Sequence, residues 1–504
     1  VDEQGTPVVL RGVAFGNQVW ADVRIPRQHH SEADYQRVAD MGMNSVRFYI
    51  NYKTLESDSA PGQTLADGWK WLDDNVLWAS AHGIRLVLNM HVPPGGYQSL
   101  GQGTGLWNDP TAQQRLIHLW RLIAERYRNV PTIAGYGLVN EPIVPRSIEE
   151  WQALAERLIA AIRHVDPEHI VFVERVNSVG NDGREDENRN FFRVADRNVV
   201  YEFHFYKPLD FTHQGAWWTP STALDQRYPD ERVAEVDGFQ LDWRIGTFDS
   251  PKLPPGNSEW KFYRGTPFKV ADPSHQVGRP ALVCDLLGSG VASFDDLVLE
   301  RIDEGAVREI WRANLTSQRG WSLWSQDGSG EVALDTRGHQ DAAALSITKT
   351  ASFANASADY LRFVPRHGAT YRLSGWMRGR NVPAAATCQI RLDFLSSRVP
   401  VTVRDKDFLR QELDAYVAWG KAQGVPLYLG EWGTIRASYE NDRGGLRWSS
   451  DMLDLILEHN LGFAYHDYHE QHMGIFYGDG SLPDPKQANT ALIELFRSKL
   501  LRAR

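Results

Sequence analysis

Cysteine is nearly missing from this sequence, with Cys284 and Cys388 the only two in 504 residues. Neither belongs to a CxxC pair, and two thiols cannot by themselves enclose a metal ion, so a thiolate metal site and a disulfide-stapled small fold are both excluded. The pair reads either as one disulfide or as two buried free thiols. Runs of a single charge are missing as well. The balance of 54 basic against 64 acidic residues gives a formal charge of -10, and no basic run is present of the kind that tracks a phosphate backbone, so nucleic acid is not an expected partner. No stretch approaches about 18 uninterrupted apolar residues, so no membrane-spanning helix is expected. The chain starts at Val1 rather than Met, as a processed or trimmed N-terminus would, and no export signal is visible in it.

What is present is length and tryptophan. A chain of this size has two to three domains as its prior, although a closed barrel of about 250 residues counts as one. Many of the 18 tryptophans fall in predicted loops, where flat aromatic faces can either pack or hold a planar ligand surface.

Hydrophobic periodicity alternates between strand and helix along the first 206 residues. Val8 to Gly16 reads as a strand, and Ser31-Glu-Ala-Asp34 has the capping-box form that opens a helix reaching Gly42. Strands over 44–50, 84–92, 133–142, 169–176 and 198–206 follow, with helices over 69–82, 109–128 and 147–165 and a short, weakly marked helical link before the sixth strand. Two further units appear only near the end. These are a helix over 407–424, a strand over 425–431, a helix over 444–460, a strand over 461–468 and a closing helix over 485–501. Strand–helix alternation of this kind implies a parallel sheet with right-handed crossovers, and eight units predict a closed (β/α)8 barrel.

Residues 246–402 break that alternation with short β-rich segments and many Gly, Ser, Thr and Asp. They read as an inserted β-sandwich, placing first and second parts of the barrel at 1–245 and 403–504. The segments from Gly320 and from Tyr371 resemble the opening strands of jelly-roll carbohydrate-binding modules, and Gly288 to Ile302 resembles the closing strand. That order is a circular permutation, which a sandwich tolerates when its original termini lie side by side. Acidic loops such as Asp295-Asp296 leave room for a structural calcium.

The apolar stretch Ile133 to Pro142 (IAGYGLVNEP) ends in Glu141, held where proline stops the strand, and Val425 to Thr434 (VPLYLGEWGT) ends in Glu431 with glycines on both sides. Two glutamates at two strand ends imply a paired-carboxylate site. Together with Arg47 in NSVRF, His91 closing the third strand, and His204 and Tyr206 closing the sixth, these motifs resemble glycoside hydrolase family 5, the cellulase-like branch of retaining barrel enzymes. The resemblance covers about 1–210 and 403–504. It implies Glu141 as acid/base and Glu431 as nucleophile, with Arg47 and Tyr206 holding Glu431 ionised, Asn140 on the sugar 2-hydroxyl, and His91 and His204 shaping the first subsite.

One departure stands out at the eighth strand, where the family usually carries a tryptophan under the sugar and this chain has His466. Trp432, Tyr465 or the Trp217-Trp218 pair then become candidate stacking surfaces, with core packing as the competing use of each. His466, Asp467, His469 and His472 crowd one segment, but alternate strand residues face opposite sides and the arrangement is not HExxH. A polar rim rather than a metal site is expected, with no cofactor. The resemblance therefore implies a secreted or periplasmic retaining glycosidase on a β-linked glucan or mannan type glycan. The alternatives are an exo-acting β-glycosidase on oligosaccharides or glycoconjugates, and a non-catalytic carbohydrate-binding protein on a lapsed barrel.

Overall fold

Ser45–Asn51 (SVRFYIN) is buried at every position, and Arg85–Val92 at all but its first. Segments with no exposed face can pair only within a sheet that is covered on both sides. Eight strands pair in parallel and close on themselves: Arg11–Phe15, Ser45–Asn51, Arg85–Val92, Ile133–Gly137, Ile170–Glu174, Val199–Phe205, Leu427–Trp432 and Gly462–Tyr465, the last returning to the first. This is a closed (β/α)8-type barrel. The computed structural model describes residues 8–99, 101, 103–180, 185–219, 226–235, 241–242, 247–303, 305–318, 320–340, 342–358, 361–397, 401–478 and 480–501.

Helices Glu32–Asp40, Ala66–Ala81, Pro110–Tyr127, Ile148–Arg163, Lys406–Gln423, Gly445–Glu458 and Thr490–Leu500 cover the barrel. Two of them begin in capping boxes, Ser31 with Asp34 and Ser147 with Glu150, each satisfying otherwise orphaned first-turn amides. Trp120, Trp151 and Trp448 are fully buried on the helices' inner faces. The helical link expected before the sixth strand is not formed among the described residues. Asp186 instead accepts from the amides of Asn188 and Asn190, and Arg189 and Asn190 take left-handed φ values of 55° and 60°. Such local side-chain bonds compete with helix formation. The closing helix starts at Thr490 rather than Pro485, because Asn489 caps it and Pro485–Gln487 forms a separate 3-10 turn.

The chain divides into two compact units, 1–228 with 409–504, and 229–408. In the second, Asp230–Glu235 pairs antiparallel with Thr402–Arg404, so the strands entering and leaving it lie side by side. Two antiparallel sheets follow. One is built around Val277–Asp285 and Thr387–Ser397, the other around Val291–Asp303 and Thr370–Val382. Leu282, Ile390 and Phe394 from the first share one core with Phe294, Leu299, Ile347 and Met377 from the second. Cys284 and Cys388 stand directly opposite each other across the first sheet, as buried free thiols.

A buried histidine pair in the first unit has a defined protonation state. His30 Nε2 lies 2.5 Å from Asn75 Oδ1, which makes it the donor and leaves His30 Nδ1 to accept from His29 Nδ1 at 2.8 Å. The scheme leaves His30 protonated on Nε2 alone, hence neutral, and places a proton on His29 Nδ1. Burial pushes His29 well below its ordinary value and His30 down to about 4. The unfolded chain therefore binds protons that the native state refuses as pH falls from about 6.5 to 4, and stability present above 6.5 is lost across that window. His30 alone accounts for on the order of 3 kcal/mol. Thermal unfolding between pH 7 and pH 4.5 should show a smaller fall in Tm for His30→Gln than for the unaltered protein.

Candidate active site

A strand's side chains alternate between faces, so Arg47 and Tyr49 share the inner face of the second barrel strand. Arg47 is completely buried. Its Nη1 donates to Glu431 Oε1 at 2.8 Å, its Nη2 donates to Asn140 Oδ1 at 2.8 Å, and its Nε lies 2.7 Å from Glu202 Oε1. Glu174 Oε2 is 3.7 Å from Nη2. One guanidinium thus ties together four strand ends. Gly430 makes room for this, since a Cβ there would meet Glu202 Oε1 at 1.8 Å.

Glu431 is buried and well supplied with donors. The Tyr49 hydroxyl donates to Oε1 at 2.6 Å, the Tyr206 hydroxyl donates to Oε2 at 2.9 Å, and His204 Nδ1 is 3.4 Å from Oε2. Burial by itself lifts a carboxyl's pKa, but the positive charge nearby, His204 first and Arg47 with it, outweighs it and holds Glu431 well below the usual carboxylate range.

Glu141 is the more open of the two, with 17% of its side chain exposed against 6% for Glu431. Its φ of 42° is a left-handed conformation that is costly for a residue with a side chain, and Glu174 Oε2 accepts from its amide at 3.0 Å. His204 Nδ1 lies 3.0 Å from Glu141 Oε1. One oxygen of Glu141 and one of Glu431 come within 4.8 Å of each other.

The remaining polar residues line the same mouth. Asn140 Nδ2 reaches Ser99 Oγ at 3.1 Å and His91 Nε2 at 3.4 Å. His91 stacks on Tyr49 with centroids 4.0 Å apart, and burial keeps it well below its ordinary pKa. His466 Nδ1 lies 3.0 Å from the Tyr49 hydroxyl, and burial lowers it too.

Residues 1–238 match the family described as Cellulase (glycosyl hydrolase family 5). That match falls on the first part of the chain and carries six of the eight barrel strands. Among curated proteins the chain is similar to Endoglucanase C of Acetivibrio thermocellus, at 34% identity over 39% of this chain and 56% of that protein. It is similar to Cellodextrinase A of Ruminococcus flavefaciens at 30% identity, over 41% of this chain and 60% of that protein. A Beta-xylosidase of Phanerodontia chrysosporium matches at 33% identity over 42% and 51%. The chain thus spans little more than half the length of these relatives. Among solved structures, Thermotoga maritima Cel5A in complex with mannotriose superposes with a TM-score of 0.52 at 15% identity, covering 97% of both chains, a likeness of fold.

Two of the candidate stacking residues pack in the core instead of lining the mouth. Trp432 is fully buried against Trp448, Phe463, Tyr465 and Phe496, on the helix side of the barrel. Because Glu431 faces inward, its neighbour must face outward. Tyr465 is buried in the same cluster and bonds Tyr439. Trp217 is 78% exposed, and Trp218 packs against His213 and His472. Trp20, 40% exposed, stands edge-on to His466 and offers an aromatic face where the strand-eight tryptophan is absent.

Tyr49, Glu174 and Glu202 also belong to this site, although the sequence reading passed over them. Glu174 ends the apolar run IVFVE by the same design as Glu141, and Tyr49 and Glu202 each sit two positions from a residue that was identified. Among the described residues, Glu141, His204 and Glu431 converge, and so do Glu174, Glu202 and His204, with the spacing of a ligand set. Arg47 already supplies positive charge against Glu202 and Glu431 and would repel a cation there. His469 bonds the His29 carbonyl and His472 packs on Trp218, so the strand-eight histidines do not converge.

Replacing Arg47 by Leu leaves Glu431 and Glu202 without their cation. Urea unfolding at pH 7 should show a loss of about 3–5 kcal/mol, the scale for a broken buried ion pair.

Proposed function

We propose that the barrel is a retaining β-glycosidase acting on a β-linked glucan. The observation that carries this reading is the carboxyl pair, with Glu141 and Glu431 oxygens within 4.8 Å. Retaining enzymes hold their carboxyls about 5–5.5 Å apart, whereas inverting ones need about 6.5–9.5 Å for a water between them. Glu431, kept ionised, attacks the anomeric carbon while Glu141 protonates the leaving oxygen. Oε1 of Glu431 accepts from both Arg47 and Tyr49 and Oε2 from the Tyr206 hydroxyl, so Oε2 is the less engaged oxygen and the one to attack. Glu141 then draws a proton from the water that releases the glycosyl-enzyme.

The relatives named as an endoglucanase and a cellodextrinase favour a glucan, and such a polymer is met outside the cytoplasm, in keeping with a secreted or periplasmic protein. Glu431→Ala should abolish turnover of both aryl β-glucosides and β-glucans. Glu141→Ala should lose about 10²–10⁴-fold on glycans but far less on dinitrophenyl glycosides, whose leaving group needs no proton. Equal losses on both substrates would reverse or refute the assignment. The lengths of the first products distinguish endo from exo attack.

The 229–408 unit reads as a carbohydrate-binding module. Trp260 and Trp376 are half-buried on one sheet, with His339 stacked 3.5 Å from Trp376 and Arg378 lying over Trp260 and bonded to Asp335. Aromatic faces beside a fixed charged pair suit sugar rings and their hydroxyls. In the full chain carrying Glu431→Ala, adding Trp376→Ala should abolish retardation in polysaccharide-containing native gels; unchanged migration relative to the parent would remove the binding role.

A further inference from the structure

Glu174 is a buried carboxyl that the mechanism above leaves unused. It lies at the end of the fifth barrel strand, with Oε2 accepting from the Glu141 amide at 3.0 Å and Oε1 3.5 Å from His204 Nε2. The opposite nitrogen of the same ring, Nδ1, is 3.0 Å from Glu141 Oε1. Carboxyl, imidazole and carboxyl therefore form a chain from the fifth strand through the sixth to the fourth. We propose that Glu174 is a positioning residue for proton delivery, holding a proton on His204 so that its Nδ1 can supply Glu141. This rests on the glycosidase reading and adds a residue to it.

The surrounding charges make a shared proton necessary. Arg47 from the second strand, Glu202 from the sixth and Glu431 from the seventh also face the ring, with Arg47 Nη2 3.4 Å and Glu202 Oε1 3.8 Å from Nε2, and Glu431 Oε2 3.4 Å from Nδ1. Four carboxyls thus surround one permanent cation, and an imidazolium is the group placed to offset part of the excess. Burial opposes charge on His204, but Glu174 and Glu431 outweigh it and raise the ring well above its ordinary value. Burial also lifts Glu174, and the charge on His204 opposes that lift, so the two groups titrate as a pair that shares one proton.

The transfer balances without any co-reactant. The Nδ1–H bond of the imidazolium breaks as the Oε1–H bond of Glu141 forms, and Glu141 passes that proton to the leaving oxygen. In the second half-reaction a proton from water returns through Glu141 to Nδ1. A carboxylate on the far side of an imidazole has the same orienting and charge-stabilising role in hydrolytic triads.

Removing the Glu174 charge lowers the affinity of His204 for its proton. Glu174→Gln keeps an acceptor for the Glu141 amide, so kcat/KM at the optimum should stay within about tenfold, while the alkaline limb moves down by about one pH unit or more. Glu174→Ala loses the acceptor and should lower kcat at every pH. The His204 titration followed by 15N NMR, assigned with His204→Asn, should show the same downward shift in Glu174→Gln without any turnover. An unchanged His204 midpoint in Glu174→Gln, or an alkaline limb superimposable on the unaltered protein's, overturns the proposal. A shifted midpoint in a protein inactive on every β-glycoside upholds the Glu174–His204 coupling and refutes the glycosidase reading instead.

Discussion

A guanidinium removed from water must find its partners within the protein, and Arg47 finds them on three neighbouring segments at once. Glu431, Glu202 and Asn140 are bound directly, while Glu174 stands slightly farther off. Pairs of this kind contribute little net stability, because desolvation consumes most of the Coulombic gain. What they contribute is geometry. Each carboxyl is held in one position relative to a common donor, and every strand end that carries one is thereby placed relative to the others.

The two central glutamates differ because their supports differ. Glu431 lies within a strand, buried, with three hydroxyl or guanidinium donors on its two oxygens. Glu141 lies just past a strand, on a strained backbone whose amide is fastened to Glu174, and its side chain keeps contact with solvent. A group that must stay charged benefits from fixed donors, and one that must gain and lose a proton beside a departing group benefits from access. The barrel supplies both environments within one mouth because parallel strands all end on the same side.

Strand periodicity carried more of this site than was first taken from it. The alternation that puts Arg47 inside also puts Tyr49 inside, and the one that puts His204 inside also brings Glu202. By the same rule Trp432 had to face the helices once Glu431 faced the axis, so its place in the core was readable in advance. That no helix forms before the sixth strand among the described residues was harder to foresee. Asp186 bonding to two downstream amides decides it, and such local bonds leave only a weak compositional trace.

The sequence by itself determined the eight strands, their parallel closure, the long insertion and the two glutamates at strand ends, because each depends on local periodicity and turn chemistry. Tertiary structure alone decided which buried charges meet. Glu174 and Glu202 are unremarkable in the linear chain and become neighbours of Arg47 and His204 only when the barrel closes and Gly430 lets Glu202 approach. The two cysteines follow the same logic, since only the sheet register brings Cys284 opposite Cys388. Contacts between residues distant along the chain depend on register and closure, which local composition does not encode.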